Sequence, residues 1–126
     1  MKKLVSTASA PSAIGPYSQG IKNQGTLYIS GQIGIIPGDT AIVHTGISEQ
    51  TDQVFANILA ILSEADASMD DILKLNIYLT DLTNFDLINE KMVQLFKPPY
   101  PARATVEVSC LPKGAIVEID AIAKCG

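Results

Sequence analysis

The sequence has few of the residues that build metal centres, disulfide frameworks and nucleophilic triads. Its 126 residues include one histidine, two cysteines and no tryptophan. Cys110 and Cys125 form no CxxC pair, so on their own they provide neither a zinc site nor a disulfide framework. A triad needs a base with an orienting partner, and a metal site needs several ligands. The single histidine, His44, lacks such a context, so we predict a surface role for it and no metal site.

Positive charge and phosphate-binding loops are also scarce. Thirteen Asp and Glu residues outnumber nine Lys and Arg residues, which gives a net charge of −4. A nucleic-acid interface needs a clustered basic face, and the basic residues of this chain are scattered. Neither GxGxxG nor GxxxxGK[ST] occurs. We therefore expect no nucleic-acid partner and no phosphate-binding loop.

Long apolar runs are absent. The longest, residues 58–62, is far below the ~20 residues of a membrane span. Lys2 and Lys3 precede only Leu4 and Val5, whereas a signal peptide needs about seven or more apolar residues. The sequence therefore predicts a soluble, cytoplasmic protein with no membrane segment. Its length is typical of one domain, and it has no internal repeat or linker, so we expect a single domain over residues 1–126.

Charged residues are few for so small a chain. They make up 17% of it, against 47% hydrophobic residues, and the mean hydropathy is +0.24. This apolar content excludes disorder. A small domain has much surface and needs polar groups to cover it. We infer that part of the surface is buried in an oligomer.

Hydrophobic periodicity predicts a two-layer α+β arrangement. The predicted strands are residues 3–7, 21–23, 26–33, 72–80, 103–109 and 116–124. One predicted helix covers residues 48–65, with Ser48 as its N-cap. The other begins at a capping box formed by Thr83 and Asp86, and it ends before Pro98. The helices would cover one face of a mixed sheet, and partner subunits would cover the other.

Three sets of residues are predicted to share a face. They are Leu27, Ile29, Gly31 and Ile33; Leu73, Leu75, Ile77 and Leu79; and Phe85, Ile88, Met92 and Leu95. A glycine inside a strand weakens it and often marks a bulge or a close backbone approach. We predict one of these at Gly31.

Two charged residues stand out in the predicted strands. Arg103 follows a proline-rich segment, and its planar fork could hold a carboxylate in two hydrogen bonds; the alternative is an ion pair with Glu107. Glu118 lies in an apolar strand, where a carboxylate is either paired or functional. The two could bind an acid and activate a water from neighbouring strands, or form a salt bridge with each other. Tyr17, in a Gly/Pro loop, either packs or donates a hydrogen bond.

Several ordered motifs resemble one family. They are residues 13–20 (AIGPYSQG), 30–33 (SGQI), Lys74, 78–81 (YLTD), 89–90 (NE), 101–108 (PARATVEV), 111–114 (LPKG) and 117–119 (VEI). Together they are similar to the Rid or YjgF family of reactive-intermediate deaminases, also called the L-PSP endoribonuclease family. The resemblance extends from about residue 3 to residue 124.

The resemblance implies a chorismate-mutase-like α+β fold, with two helices on one face of a mixed sheet. It implies a homotrimer around a central β-barrel, with sites between subunits. The implied reaction hydrolyses 2-imino acids and their enamine tautomers, such as 2-iminobutanoate and 2-iminopropanoate released by pyridoxal-phosphate dehydratases, to 2-oxo acids and ammonia. The imine carbon is already electrophilic, so no metal or cofactor is implied.

The resemblance also assigns roles to residues. Arg103 would clamp the substrate carboxylate, aided by the backbone of Ser30 and Gly31. Glu118 would activate the water, together with the main-chain carbonyl of Thr105. Tyr17 would approach the imine from a neighbouring subunit, and Asn89 would lie near the cleft. Many deaminases of the family have Cys where this chain has Thr105, which bears on the rate.

Other functions remain open at this point. One is an endoribonuclease or translation inhibitor, which the acidic composition disfavours. Another is a non-catalytic trimer that binds small acids, regulates partners or acts as a chaperone, which Arg103 disfavours. A third is a deaminase for another substrate, such as an aminomuconate.

Overall fold

The chain folds around one six-stranded mixed sheet. We describe a computed structural model that covers residues 1–126. The strands are β1 (Lys3–Val5), β2 (Gly20–Asn23), β3 (Thr26–Gln32), β4 (Ile72–Leu79), β5 (Ala102–Glu107) and β6 (Val117–Lys124). Their order in the sheet is β1-β2-β3-β6-β4-β5. All neighbours are antiparallel except β4 and β5, which places the last strand of the sequence near the centre.

Two helices cover one face of this sheet. Helix α1 (Ile47–Glu64) packs on β3 and β6, and α2 (Phe85–Leu95) connects the parallel strands β4 and β5. Short 3₁₀ turns lie at Met69–Asp71, Leu82–Asn84 and Pro112–Gly114. The α+β prediction is therefore confirmed, with two helices on one side of a mixed sheet. Neither helix has both the length and the apolar character needed to cross a membrane.

The core lies between the helices and the sheet. Alternate residues of the strands point into it, including Leu75, Ile77 and Leu79 of β4 and Val117 and Ile119 of β6, which are buried. The opposite face, here called the open face, is uncovered in the single chain. A row of side chains crosses it in register from β1 to β6: Leu4, Ile21, Tyr28 and Ile122.

Two of the predicted core faces are interrupted by irregular strand pairing. The register of β4 against β6 shifts between Ile72 and Lys74, so Leu73 points outward and is 53% exposed. The register of β3 shifts between Ile29 and Gln32, so Gln32 is buried in place of Gly31. A bulge adds one residue to a strand and reverses the alternation beyond it. Of the two features predicted as alternatives at Gly31, a bulge or a close backbone approach, the bulge is therefore present.

The helix ends differ from the predicted caps. Helix α1 begins at Ile47, after Gly46 as N-cap and one residue before Ser48. Near α2, the Asp81 side chain accepts the Thr83 N–H at 3.0 Å, so the predicted Thr83–Asp86 capping box is wrong. The Thr83 hydroxyl donates to the same Asp81 oxygen at 2.6 Å, and this bond, followed by the one from the N–H, lowers the pKa of Asp81. At the other end of α2, Leu95 is exposed and Phe96 is buried instead, because the chain leaves the helix there.

Candidate active site

A cavity of about 490 Å³ lies where β3 ends and β6 begins. Its walls come from the loop before β2, from residues 33–40 and from the turn before β6. Tyr17, Gly31 and Glu118 line it together with the apolar side chains of Ile14 and Ile33. Three residues singled out from the sequence therefore meet at one cavity within one chain.

Glu118 projects from the open face of β6, between the buried residues Val117 and Ile119. Its carboxylate lies against the backbone of Gly31: a Cβ atom built on Gly31 would be 2.6 Å from Glu118 Oε2. Real Cβ atoms do not approach an oxygen so closely, so only glycine fits here without moving the carboxylate. This is the close approach that the glycine in strand β3 predicted.

The surroundings of Glu118 favour its neutral form. Burial raises the pKa of this carboxyl, and the negative charge of Asp120 raises it further. No lysine or arginine of the chain forms an ion pair with it, since the two salt bridges join Lys91 to Asp52 and Lys97 to Asp70. A carboxylate with a raised pKa in a cavity is suited to accepting a proton from a bound water.

Arg103 lies outside this cavity, on β5, where α2 holds its guanidinium. Arg103 Nη1 donates to Asn89 Oδ1 at 2.6 Å and contacts Met92 Sδ at 3.3 Å. The guanidinium also stacks over the Phe85 ring, 5.0 Å from its centroid. Phe85, Asn89 and Met92 share one face of α2 because they are three and four residues apart. Helix α2 thus holds the Arg103 guanidinium through an amide, a thioether and an aromatic ring.

Arg103 and Glu118 do not meet within one chain. Strand β4 lies between β5 and β6, so the two strands are not neighbours. Arg103 is in register with Leu75, which is buried under the helices, whereas Glu118 is in register with Tyr78 on the open face. The two side chains therefore point to opposite faces, so the salt bridge considered as the alternative for this pair does not form within one chain.

The other ion pair considered for Arg103 is also absent. Glu107 Oε1 accepts the Leu82 N–H at 2.9 Å, and Arg103 is bound by Asn89 instead. Thr105 follows Arg103 on the same side of β5, and its Oγ1 atom is buried without a hydrogen-bond partner. Asn89 and Thr105 therefore belong to the Arg103 half of the predicted site.

Ser30 belongs to the Glu118 half. Its Oγ donates to the Ser18 carbonyl at 2.5 Å, and its N–H donates to the Gln19 carbonyl at 2.9 Å. These bonds attach the loop that contains Tyr17 to β3. Tyr17, expected from a neighbouring subunit, lines the cavity in the same chain as Glu118. If Arg103 of a neighbouring copy completes the site, Tyr17 comes from a different chain than that Arg103 but from the same chain as Glu118.

Comparison with known proteins identifies the family. Residues 7–125 match the family model described as Endoribonuclease L-PSP. A crystal structure described as a conserved Rid family protein of unknown function, YyfA from Yersinia pestis, has a TM-score of 0.95. It is 48% identical, and the match covers 98% of this chain and 99% of that one. The chain belongs to the Rid family.

Two further relatives of this Rid protein have informative names. The protein named 2-iminobutanoate/2-iminopropanoate deaminase from Bos taurus is 42% identical over 126 residues, which are all of this chain and 92% of that protein. The crystal structure of E. coli TdcF with bound serine has a TM-score of 0.91 and 38% identity. That match covers 98% of this chain and 99% of the TdcF chain. The predicted family is therefore confirmed.

Three buried amides that hold the cavity walls of this Rid protein were not predicted. Gln19 Nε2 donates to the Pro11 carbonyl at 2.7 Å, which shapes the loop before Tyr17. Asn57 Nδ2 donates to the Ile35 carbonyl at 2.9 Å, and Gln50 connects two further loops. Gln50 and Asn57 interrupt the apolar stripe of α1, and this was the signal available in the sequence. No three metal-ligating side chains are grouped in the structure.

Proposed function

We propose that the protein hydrolyses 2-imino acids, such as 2-iminobutanoate and 2-iminopropanoate, to 2-oxo acids and ammonia. One observation carries the proposal: the Glu118 carboxylate lies in a cavity, with a raised pKa and without a cation to neutralise it. The name of the bovine relative supports this substrate class. The amino acid bound to TdcF supports a site that recognises a small carboxylate.

We further propose that the complete site forms between chains of a homotrimer. Arg103 and Glu118 point to opposite faces of the sheet, so a single chain offers only half of the site in each place. A second copy that covers the open face could bring its Arg103 to the cavity that contains Glu118. The exposed row of Leu4, Tyr28 and their neighbours supports burial of that face.

The assigned residues are sufficient for the chemistry. Arg103 holds the substrate carboxylate in two parallel hydrogen bonds, and Asn89 keeps the guanidinium in place. The backbone of Ser30 and Gly31 contributes to carboxylate binding. The main-chain carbonyl of Thr105 helps to orient the water, and Tyr17 lies beside the imine nitrogen.

Hydrolysis then proceeds in two stages. The imine nitrogen first takes up a proton from solvent. Glu118 then removes a proton from water as the water oxygen bonds to the imine carbon, and the C=N π electrons become a lone pair on nitrogen. Glu118 returns its proton to the amine nitrogen, ammonia leaves as the C–N bond breaks, and the hydroxyl proton passes to solvent as the C=O group forms. The products are one 2-oxo acid and one ammonia, and Glu118 is regenerated.

A coupled assay tests this proposal. Purified threonine dehydratase releases 2-iminobutanoate from threonine, and a nucleophilic trapping agent competes with hydrolysis. We expect the wild-type protein to speed formation of 2-oxobutanoate, and Arg103→Ala and Glu118→Ala each to slow it at least ~100-fold. Asp66→Asn, an exposed change after α1, is the control and should match wild type. If wild type does not exceed the reaction without protein, the proposed function is wrong.

A further inference from the structure

A polar network lies on the open face beside Glu118. The Asp120 carboxylate accepts a hydrogen bond from Asn76 Nδ2 at 2.8 Å and another from the Tyr78 hydroxyl at 3.1 Å. All three residues are partly buried, in β6 and its neighbour β4. Asn76 is directly opposite Asp120 in register. Both carboxylate oxygens of Asp120 are therefore fixed by donors from the adjacent strand.

This network determines which donors Glu118 can reach. Glu118 precedes Asp120 by two residues on β6, so both point to the open face, about 7 Å apart along the strand. Tyr78 is directly opposite Glu118 in register. Its hydroxyl, however, is hydrogen-bonded diagonally to Asp120 rather than to Glu118. The nearest strand donor is thus engaged elsewhere, and the Glu118 carboxylate remains directed at Gly31 and the cavity.

The other polar groups around Glu118 come from loops. Tyr17, Asp39 and Lys113 line the same cavity, and none of them forms an ion pair within the chain. Tyr78 and Asp120 face Glu118 from the sheet. Burial is the main reason why the pKa of Glu118 is raised, and Asp120 is the charged group that adds to it. The pKa of Tyr78 is raised too, by burial and by its hydrogen bond to Asp120.

We propose that Asp120, held by Asn76 and Tyr78, is a positioning residue for Glu118. It keeps the Tyr78 hydroxyl away from the Glu118 carboxylate and places a second negative charge beside it. Glu118 thereby stays free to accept a proton from water and is a stronger base than an isolated glutamate. This inference rests on the proposed hydrolysis, and it adds a residue that touches neither the substrate nor the cavity.

The experiment measures the pKa of Glu118 directly by NMR and indirectly through the pH dependence of activity. Glutamate carboxyl carbons are labelled with ¹³C and titrated by NMR in the assembled protein, and the Glu118 signal is identified by its absence in Glu118→Gln. The pH profile of kcat/KM is measured in parallel. The variants are Asp120→Asn, which keeps the shape of the side chain, Asp120→Asn combined with Tyr78→Phe, and Asp66→Asn as an exposed control.

The direction of the expected pKa shift of Glu118 follows from the negative charge that Asp120→Asn removes. Glu118 acts as a base when ionised, so kcat/KM rises with pH through its pKa. Loss of the charge at residue 120 lowers that pKa, so the NMR midpoint and the low-pH limb of the profile should both move down by about half a pH unit or more. In the double variant the downward shift should be smaller, because Tyr78→Phe removes the hydroxyl that could turn to Glu118. Asp66→Asn should change neither the NMR midpoint nor the low-pH limb of the profile.

Each outcome decides one part of the inference. An unmoved NMR midpoint in Asp120→Asn, or an equal shift in Asp66→Asn, overturns it. Equal midpoints in the single and double variants overturn the role given to the Tyr78 hydroxyl. A moved midpoint in a protein that hydrolyses no imine supports the effect of Asp120 on Glu118 and overturns the proposed function instead.

Discussion

Gly31 lies at the position where any side chain would displace the Glu118 carboxylate. A Cβ atom there would be 2.6 Å from Oε2 and 3.0 Å from Cδ of Glu118. Glu118 is a flexible side chain and can turn away, so Gly31→Ala should fold with little loss of stability. The base would then be displaced, and we expect kcat/KM to fall about 100-fold. The coupled assay and thermal unfolding of the same samples measure the two effects.

A double-mutant cycle isolates the cause. If the methyl group acts by moving Glu118, adding Gly31→Ala to Glu118→Gln should cost no further activity, because the group that it displaces is already ineffective. Additive losses would mean that Gly31 contributes mainly through its own backbone. Wild-type activity in Gly31→Ala would contradict the role of Glu118 as the positioned base.

Helix α1 fixes two walls of the cavity through Gln50. Its Nε2 donates to the His44 carbonyl at 2.8 Å, and its Oε1 accepts the Ile116 N–H at 3.1 Å. Gln50 is buried, so Gln50→Ala would leave both backbone groups without partners. We expect unfolding free energy to fall by about 1–3 kcal/mol, measured by denaturant titration. Gln94→Ala, on the exposed face of α2, is the control and should be nearly neutral.

Hydrogen exchange distinguishes the loss of the two Gln50 hydrogen bonds from a general loss of packing. The loops held by Gln50 lead into residues 33–40 and the turn before β6, which bound the cavity. In Gln50→Ala, hydrogen exchange should therefore increase in both loops well below the global unfolding transition. Unchanged exchange there, with unchanged stability, would contradict the anchoring role.

The elements themselves follow from local patterns, but their order does not. Alternation predicted β3, β4 and β6, and helical spacing predicted both helices, because burial of one face imposes these periods. Leu73 was misplaced because a bulge leaves no mark in the alternation. Arg103 and Glu118 were expected on neighbouring strands, whereas β4 separates them. Strand order depends on contacts between residues distant in sequence. The sequence therefore pointed to Arg103 and Glu118 more reliably than to their positions in the sheet.

The distribution of the two half-sites is a property of the whole molecule. Glu118, Tyr17 and Gly31 are accessible at the cavity, whereas Arg103, Asn89 and Thr105 lie together beside α2. Arg103 is held by Asn89 within its own half. An assembly that places the α2 side of one copy against the cavity of the next would complete both halves at once, in a closed ring.

Mixed oligomers distinguish sites between chains from sites within a chain. Arg103→Ala and Glu118→Ala are each expected to be inactive alone, and are mixed in equal amounts, unfolded and refolded together. If each site takes Arg103 from one copy and Glu118 from the next, about a quarter of the sites regain both residues, and about a quarter of wild-type activity returns. Arg103→Ala mixed with the double variant should stay inactive, because no chain then contains Arg103. No recovery in the first mixture, with light scattering confirming that the oligomers are mixed, would mean that Arg103 and Glu118 do not act across a subunit interface.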